Sequence, residues 1–412
     1  MTMKITRRAF ISKAGLIAVG FGAAGSSPFL LRAAEKTTSG NKVVMFILLR
    51  GGVDGLAVCA PYGDAEYYKA RPNIALPKPK TAGSESLVDL DGYFGLHPAF
   101  APLKTAWDLG QLAIVHAAGS REMTRSHFDA QEFLETGTPG VRGTTTGWMD
   151  RCLSRVPGSD VLQGVSFSPL RPRAFLGNEP VLVMQDLPSF ELSAPGWKNE
   201  AEKLLREMYG AAGDAVADAG HHTFETLDVL RRSPAICAHP SNGARYPVRP
   251  FGLALKQAAQ VIKADLGTRC IFVNHESTFD THSNQLPSNS NDFPAVAESL
   301  AAFHRDLGKL NDRVVVVLAS EFGRTVAEDG SRGTDHGTGG IMLVMGGPVR
   351  GGRVAGKWPG IAKANLFEDR DVDVTTDFRD VFIEILERHM RLKDAASLFP
   401  HYTPAPRPGL IA

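Results

Sequence analysis

The residues of this chain that could do chemistry fall where apolar runs stop. Val314 to Ala319 is a continuous apolar run that ends at Ser320-Glu321. Gly333-Thr-Asp-His-Gly337 then brings Asp335 and His336 up to a second run, Ile341 to Met345. Upstream, Arg50-Gly-Gly-Val-Asp54 delivers Asp54 just past an apolar run, and Asp280-Thr281-His282 follows another. Ser126 opens a helical pattern and is flanked by Arg125 and His127. Carboxylates mixed with imidazoles are the ligand set of zinc, manganese or iron, whereas magnesium and calcium take oxygen alone. Two such ions about 4 Å apart can clamp both oxygens of an in-line displacement at phosphorus. A serine at a helix N-terminus, where free N–H groups favour an anion, suits the nucleophile of that reaction. Each residue also has a structural reading. Asp54 and Ser126 are good N-caps, with Asp129 completing a box-like pattern after Ser126. Glu321 could pair with Arg324 or Arg332, Asp280 could make an Asx-turn, and Asp335-His336 could shape a glycine-rich turn.

The apolar pattern predicts strands over 42–49, 112–116, 269–274, 314–319 and 341–345, β-branched and apolar enough to be buried on both faces. Helices are expected over 128–135, stopped by Gly137, over 251–266 and 293–310, and from a Thr376-Asp377 cap to about Arg391. This alternation is an α/β pattern, and in open α/β sheets ligands bind outside the carboxyl ends of the strands. Residues 60–95 and 140–195 look like insertions, the first rich in Pro, Gly, Lys and Ser. Residues 197–232 look largely helical, and the adjacent His221-His222 spacing does not suit a shared metal. No Gly-x-Gly-x-x-Gly follows the first strand and no Gly-Lys-Ser/Thr follows the turn-like 346–354, so nucleotide loops have no support.

The 412 residues are 43% hydrophobic and 22% charged with a formal net charge of +1, which offers no electrostatic case for a nucleic-acid partner. Arg7-Arg8 precede a Gly- and Ala-rich apolar stretch, 14–31, followed by Ala33-Ala34. This is the layout of a twin-arginine export signal over 1–34. It implies a folded periplasmic protein, the twin-arginine translocase as a partner during export, and no stable membrane span after cleavage. Cys59, Cys152, Cys237 and Cys270 are too scattered for a zinc knuckle, and sequence does not choose between free thiols and a disulfide pairing.

Six motifs together carry a resemblance. They are Arg50-Gly-Gly-Val-Asp54-Gly, Ser126-His-Phe-Asp-Ala-Gln131, Phe279-Asp-Thr-His282, Ala319-Ser-Glu-Phe-Gly-Arg-Thr325, Gly333-Thr-Asp-His-Gly337 and Met345-Gly-Gly-Pro-Val-Arg-Gly-Gly352. They resemble the exported domain-of-unknown-function family 1501 over nearly all of residues 35–412, read as one domain. That family is similar in fold to the alkaline phosphatase, sulfatase and cofactor-independent phosphoglycerate mutase superfamily. The resemblance implies an α/β/α sandwich with a mostly parallel central sheet. It implies Asp54, Asp280, His282 and His336 as candidate ligands of a divalent metal, zinc or manganese first, and Glu321 and Asp335 join them by their own places at the strand end. Ser126 is the expected nucleophile, with Arg125 and His127 steadying the anion. The expected reaction is hydrolysis of a phosphate or sulfate ester of a small molecule or glycan. The superfamily's Asp-His pair after the penultimate strand is Glu321-Phe322 here, so one imidazole is missing, and the sulfatase Cys-x-Pro-x-Arg motif is absent. A non-catalytic scaffold that binds glycans or a protein is the second reading. A metal-free Ser126–His336–Asp335 hydrolase is the third, although it lacks a Gly-x-Ser-x-Gly elbow.

Overall fold

The computed structural model describes residues 41–79, 85–122, 124–157, 162–187, 198–210 and 215–412, so the twin-arginine reading of 1–34 lies outside the described residues. The central sheet has nine strands: β1 (Val43–Arg50), β2 (Leu112–Gly119), β3 (Gly164–Phe167), β4 (Val181–Met184), β5 (Cys270–Glu276), β6 (Val314–Ala319), β7 (Gly340–Met345), β8 (Arg353–Ala355) and β9 (Thr376–Asp377). Their spatial order is β8-β2-β7-β6-β1-β5-β3-β4, with β9 also paired to β2. β1 runs parallel to both β5 and β6, in register Ile47↔Val273 and Ile47↔Leu318. Only β7 opposes its neighbours, pairing antiparallel with β2 and β6. The carboxyl ends of β1, β2, β5 and β6 therefore share one edge with the amino end of β7.

The strands are apolar throughout because both faces are covered. Along β1, Val43, Met45, Ile47 and Leu49 enter one core with the helices Pro250–Ala264 and Gln285–Leu307. The alternate residues Val44, Phe46 and Leu48 enter a second core with the helices Trp148–Leu153 and Phe378–Glu384. Phe46 sits against the rings of Trp148, Phe272 and Phe382. Period-two alternation with apolar residues at both phases is the mark of a middle layer, and the chain is an α/β/α sandwich with a mostly parallel sheet.

Several predicted boundaries move. The helix expected from Phe293 begins at Gln285, because Pro294 is accommodated inside it. The turn-like stretch after Gly346 does not make a hairpin; it leads into β8, which pairs parallel with β2. The 140–195 stretch is no separate layer, since it supplies β3 and β4 to the central sheet itself. The 60–95 stretch lies outside the central sheet, with the helix Ala65–Ala70 and a three-stranded sheet of Cys59–Ala60, Gly95–Leu96 and Val88–Asp89, but Phe94 and Leu96 enter the first core. Among the described residues no helix is long and apolar enough to cross a membrane. The thiols are free, with the buried Cys152 and Cys270 sulfurs 3.8 Å apart.

Candidate metal centre

The carboxyl edge is pulled together by one buried arginine. Arg324, 1% exposed, donates to the carbonyls of Gly51 at 2.7 Å, Gly52 at 2.7 Å, Phe279 at 3.0 Å and Thr334 at 3.0 Å. A guanidinium with five N–H donors can gather several carbonyls at once, and here it draws the loops after β1, β5 and β6 to one point. Gly337 lets the last of these loops close. A Cβ there would lie 2.5 Å from the Arg324 backbone, where Arg324 and His336 form an antiparallel bridge. Gly51 and Gly52 turn the chain off β1 at φ +114° and +68°, values that suit residues without a Cβ.

Three imidazoles and a carboxylate meet at that point. His336 Nε2 lies 3.1 Å from His127 Nε2, 3.0 Å from His282 Nε2 and 3.0 Å from Asp280 Oδ1. Asp280 Oδ1 is 3.4 Å from His127 Nε2 and 2.9 Å from His282 Nε2. Two overlapping sets could hold an ion, His127–Asp280–His336 and His282–Asp335–His336. Ligands 2.0–2.1 Å from a tetrahedral zinc are about 3.3 Å apart, so the first set is already at coordination spacing.

The other ring nitrogens fix which atoms face inward. His127 Nδ1 donates to Glu321 Oε1 at 2.7 Å, and His336 Nδ1 donates to the carbonyl of Arg125 at 2.8 Å. A carboxylate and a carbonyl only accept, so in the neutral rings both Nε2 atoms carry lone pairs. Two lone pairs 3.1 Å apart beside a carboxylate oxygen repel unless a cation or a proton lies between them. The hydrogen bond to Glu321 raises the His127 pKa against the opposing effect of burial, which favours a proton there when no metal is bound. Phe322 closes the floor, with its ring centroid 4.8 Å from those of both His127 and His336.

Glu321 takes a different position from the expected one. Its side chain is fully buried, and Oε1 accepts from His127, from Gln131 Nε2 at 2.7 Å and from the Gly51 N–H at 2.9 Å, while Oε2 accepts from Ser320 Oγ at 2.9 Å. Burial would push this carboxyl up, but the hydrogen bonds from His127 and Gln131 outweigh it and hold it below its ordinary value. An ionised carboxylate holding the far nitrogen of a ligand imidazole sets its tautomer and ring orientation. Burial would push Asp280 up as well, but the Arg324 guanidinium, hydrogen-bonded to it at 2.6 Å, outweighs that and holds it well below the usual carboxylate range.

Asp54 is a correction. It is 3% exposed and lies in a closed network: Arg71 donates to Oδ2 at 2.5 Å and to Oδ1 at 3.1 Å, Gln285 donates to Oδ2 at 2.5 Å, and the Leu56 N–H donates to Oδ1 at 3.0 Å. Each oxygen already accepts from two donors, which leaves no lone pair for a dication. Arg125 is a second correction. Its guanidinium points to Glu368 at 2.8 Å and Asp371 at 3.4 Å, and only its carbonyl serves the site. His127, expected to steady an anion, instead presents Nε2 to the ligand cluster. The clue was its i, i+4 spacing from Gln131, which puts both on the helix face that meets Glu321. Ser126 is the N-cap of the helix His127–Thr136, its Oγ accepting from the Asp129 N–H at 3.4 Å. Asp335 Oδ1 accepts from the His336 N–H at 2.7 Å and lies 3.6 Å from His282 Nδ1.

The fold and this edge define a mostly parallel α/β/α protein with a histidine–carboxylate cluster at the carboxyl ends of its strands. Residues 207–399 match the model of a family described as protein of unknown function, DUF1501, a shorter reach than the nearly complete one that the motifs suggested. No curated protein matches the sequence. Among solved structures, the C-terminal periplasmic domain of EptC from Escherichia coli, in complex with zinc, is similar at 10% identity and TM-score 0.34, over 76% of this chain and 75% of that one. An alkaline phosphatase from the Antarctic bacterium TAB5 is similar at 10% identity and TM-score 0.29, over 75% of this chain and 93% of that one. The lipoteichoic acid synthase LtaP from Listeria monocytogenes is similar at 11% identity and TM-score 0.31, over 74% and 65%.

Proposed function

We propose that this chain is an exported, divalent-metal-dependent hydrolase of a phosphate or sulfate ester. The observation that carries the proposal is the pair of inward-facing Nε2 lone pairs of His127 and His336, 3.1 Å apart with Asp280 Oδ1 beside them. Imidazole nitrogens with a carboxylate oxygen fit zinc or manganese. A bound ion there would supply Lewis-acid polarisation of an ester oxygen. The chain's own residues do the rest. Glu321 and the Arg125 carbonyl hold the two imidazoles, and Arg324 holds Asp280 while leaving the second lone pair of its Oδ1 toward the rings. Ser126, one residue before His127, is the proposed nucleophile: its Oγ takes the phosphoryl or sulfuryl group as the alcohol departs with the serine proton, and a water then releases phosphate or sulfate and restores the hydroxyl. His282 and Asp335 form the second set around His336 and are the proposed place for a further ion or for a substrate oxygen. Export rests on Arg7-Arg8 and the apolar stretch that follows them.

The test is metal analysis of the purified full chain with an ester panel, alongside His336→Ala and Ser126→Ala. Stoichiometric zinc or manganese that His336→Ala loses, together with turnover that both changes abolish, supports the reading. Protein that takes up no metal, or turnover indifferent to both changes, defeats it. The second reading, a scaffold without catalysis, is favoured by Phe322, whose ring packs on His127 and His336 where a further imidazole was expected. Its mark is stoichiometric metal with no turnover on any ester.

A further inference from the structure

Beside the imidazole cluster lies a cleft of about 330 Å³, within the range of small-molecule sites. Its floor comes from Arg50 at the end of β1 and from Asn274 and Glu276 on β5. One wall is the helix His127–Thr136, and the other is the loop that follows β3. The wall helix serves both places. His127 and Gln131 face Glu321 and the cluster, whereas Phe128 and Glu132 face the cleft. Gln131 also joins the two, accepting from Arg50 Nη1 and donating to Glu321 at 2.7 Å.

Two features select the occupant. Phe128 is 86% exposed and Leu170 79% exposed, and both line the cleft. Exposed large apolar side chains collected at one concavity mark a binding surface. The charges around them nearly cancel. Arg50, Arg171 and Arg173 stand against Asp129, Glu132, Glu135 and Glu276, three positive and four negative. The arginines are already engaged by the protein: Arg50 by Glu135 at 2.9 Å, Arg173 by Glu132 at 3.5 Å, and Arg171 by the carbonyls of Phe175 at 2.7 Å and Glu179 at 2.9 Å. A polyanion would find no net attraction in such a lining, and an acyl chain would have to desolvate charged groups. A neutral sugar ring suits both features. Its C–H face packs on an aromatic ring, and its hydroxyls, each donor and acceptor, can bond to carboxylates, amides and guanidinium groups together.

We infer that the cleft binds a neutral saccharide, as the subsite for the alcohol part of the ester. The assignment as a substrate subsite rests on the hydrolase reading; the binding itself does not. The test is calorimetry and ligand-observed NMR on the full chain with four neutral trisaccharides, built from glucose, galactose, mannose and N-acetylglucosamine, against poly-L-glutamate, a polyanion that is neither sugar nor ester. At least one trisaccharide binds, at submillimolar to millimolar concentration, and poly-L-glutamate does not. Phe128→Ala and Leu170→Ala each weaken binding, the former about tenfold, with unchanged melting temperature because both side chains are exposed. Binding of no trisaccharide, binding of poly-L-glutamate alone, or full affinity in Phe128→Ala overturns the inference. The two readings fail separately. Ester turnover without saccharide binding removes the cleft assignment alone. Saccharide binding that persists in His336→Ala supports the cleft whether or not metal or turnover is found.

Discussion

Asp54 and Asp280 both follow strands of the same sheet, and their environments are opposite. Asp54 is buried, and its oxygens are taken up by Arg71, Gln285 and a backbone N–H. Asp280 is 45% exposed, and its contacts converge on one oxygen that it shares with Arg324 and the three imidazoles. The first network is complete without any ligand and serves the fold. The second leaves lone pairs facing one another and is completed only by a cation or a proton. A carboxylate at a strand end is not yet a ligand; its partners decide.

The two networks should separate most clearly when each carboxylate loses a partner. Arg71→Ala leaves a buried charge uncompensated and should cost about 3–5 kcal/mol in chemical denaturation. His336→Ala, at the half-buried cluster, removes no partner from a buried charge and should cost less, about 1–2 kcal/mol, while abolishing metal uptake. If the two variants are equally destabilised, the division into a structural and a chemical network is wrong. Glu321→Gln should come next in size. It keeps an acceptor for His127 Nδ1 but removes the charge behind it, and metal affinity measured by competition with a chelator should fall about 10–100-fold with the fold retained. Unchanged affinity would show that Glu321 does not act through His127.

The smallest effect should be in the pH response. His127, with its pKa raised by Glu321, gives the metal-free protein stability that is fully present below the unfolded value near 6.5 and is lost as pH rises through the raised folded value. Metal-loaded protein should lose this dependence, because the ion takes the proton's place, and melting temperatures across pH 6–9 compare the two forms. The buried His116 behaves in the opposite way. Burial lowers its pKa to about 4, and its neutral ring lies against Phe94 and Trp358, so it contributes stability above pH 6.5 that is lost as pH falls toward 4. His116→Phe should unfold at lower pH than the native chain in acid titrations followed by circular dichroism.

Much of the framework was legible in the chain. Val314 to Ala319 reads as a doubly buried strand and is β6 residue for residue, and the helix read over 128–135 is there with one more residue at each end. The strands β3 and β4 were not legible, because runs of four residues among prolines and glycines carry too little periodicity to separate from an insertion. At the site, the ligand-type residues were visible, but the roles of Glu321, His127 and Asp54 were not. Arg71 and Gln285 carried no motif, and their only signal is spatial.

The order of apolar runs, with acidic, imidazole and hydroxyl groups just beyond them, was enough to determine a layered α/β protein and the edge where its chemistry would gather. Burial of both strand faces is a local pattern that the chain writes along itself. The tertiary structure alone decided which carboxylate was neutralised, which became the support of an imidazole and which stayed open. Those outcomes depend on contacts across the chain, such as Gln285 reaching Asp54 over 231 residues and Glu321 reaching His127 over 194. Electrostatic roles are set by distance in space, and no spacing along the sequence encodes it.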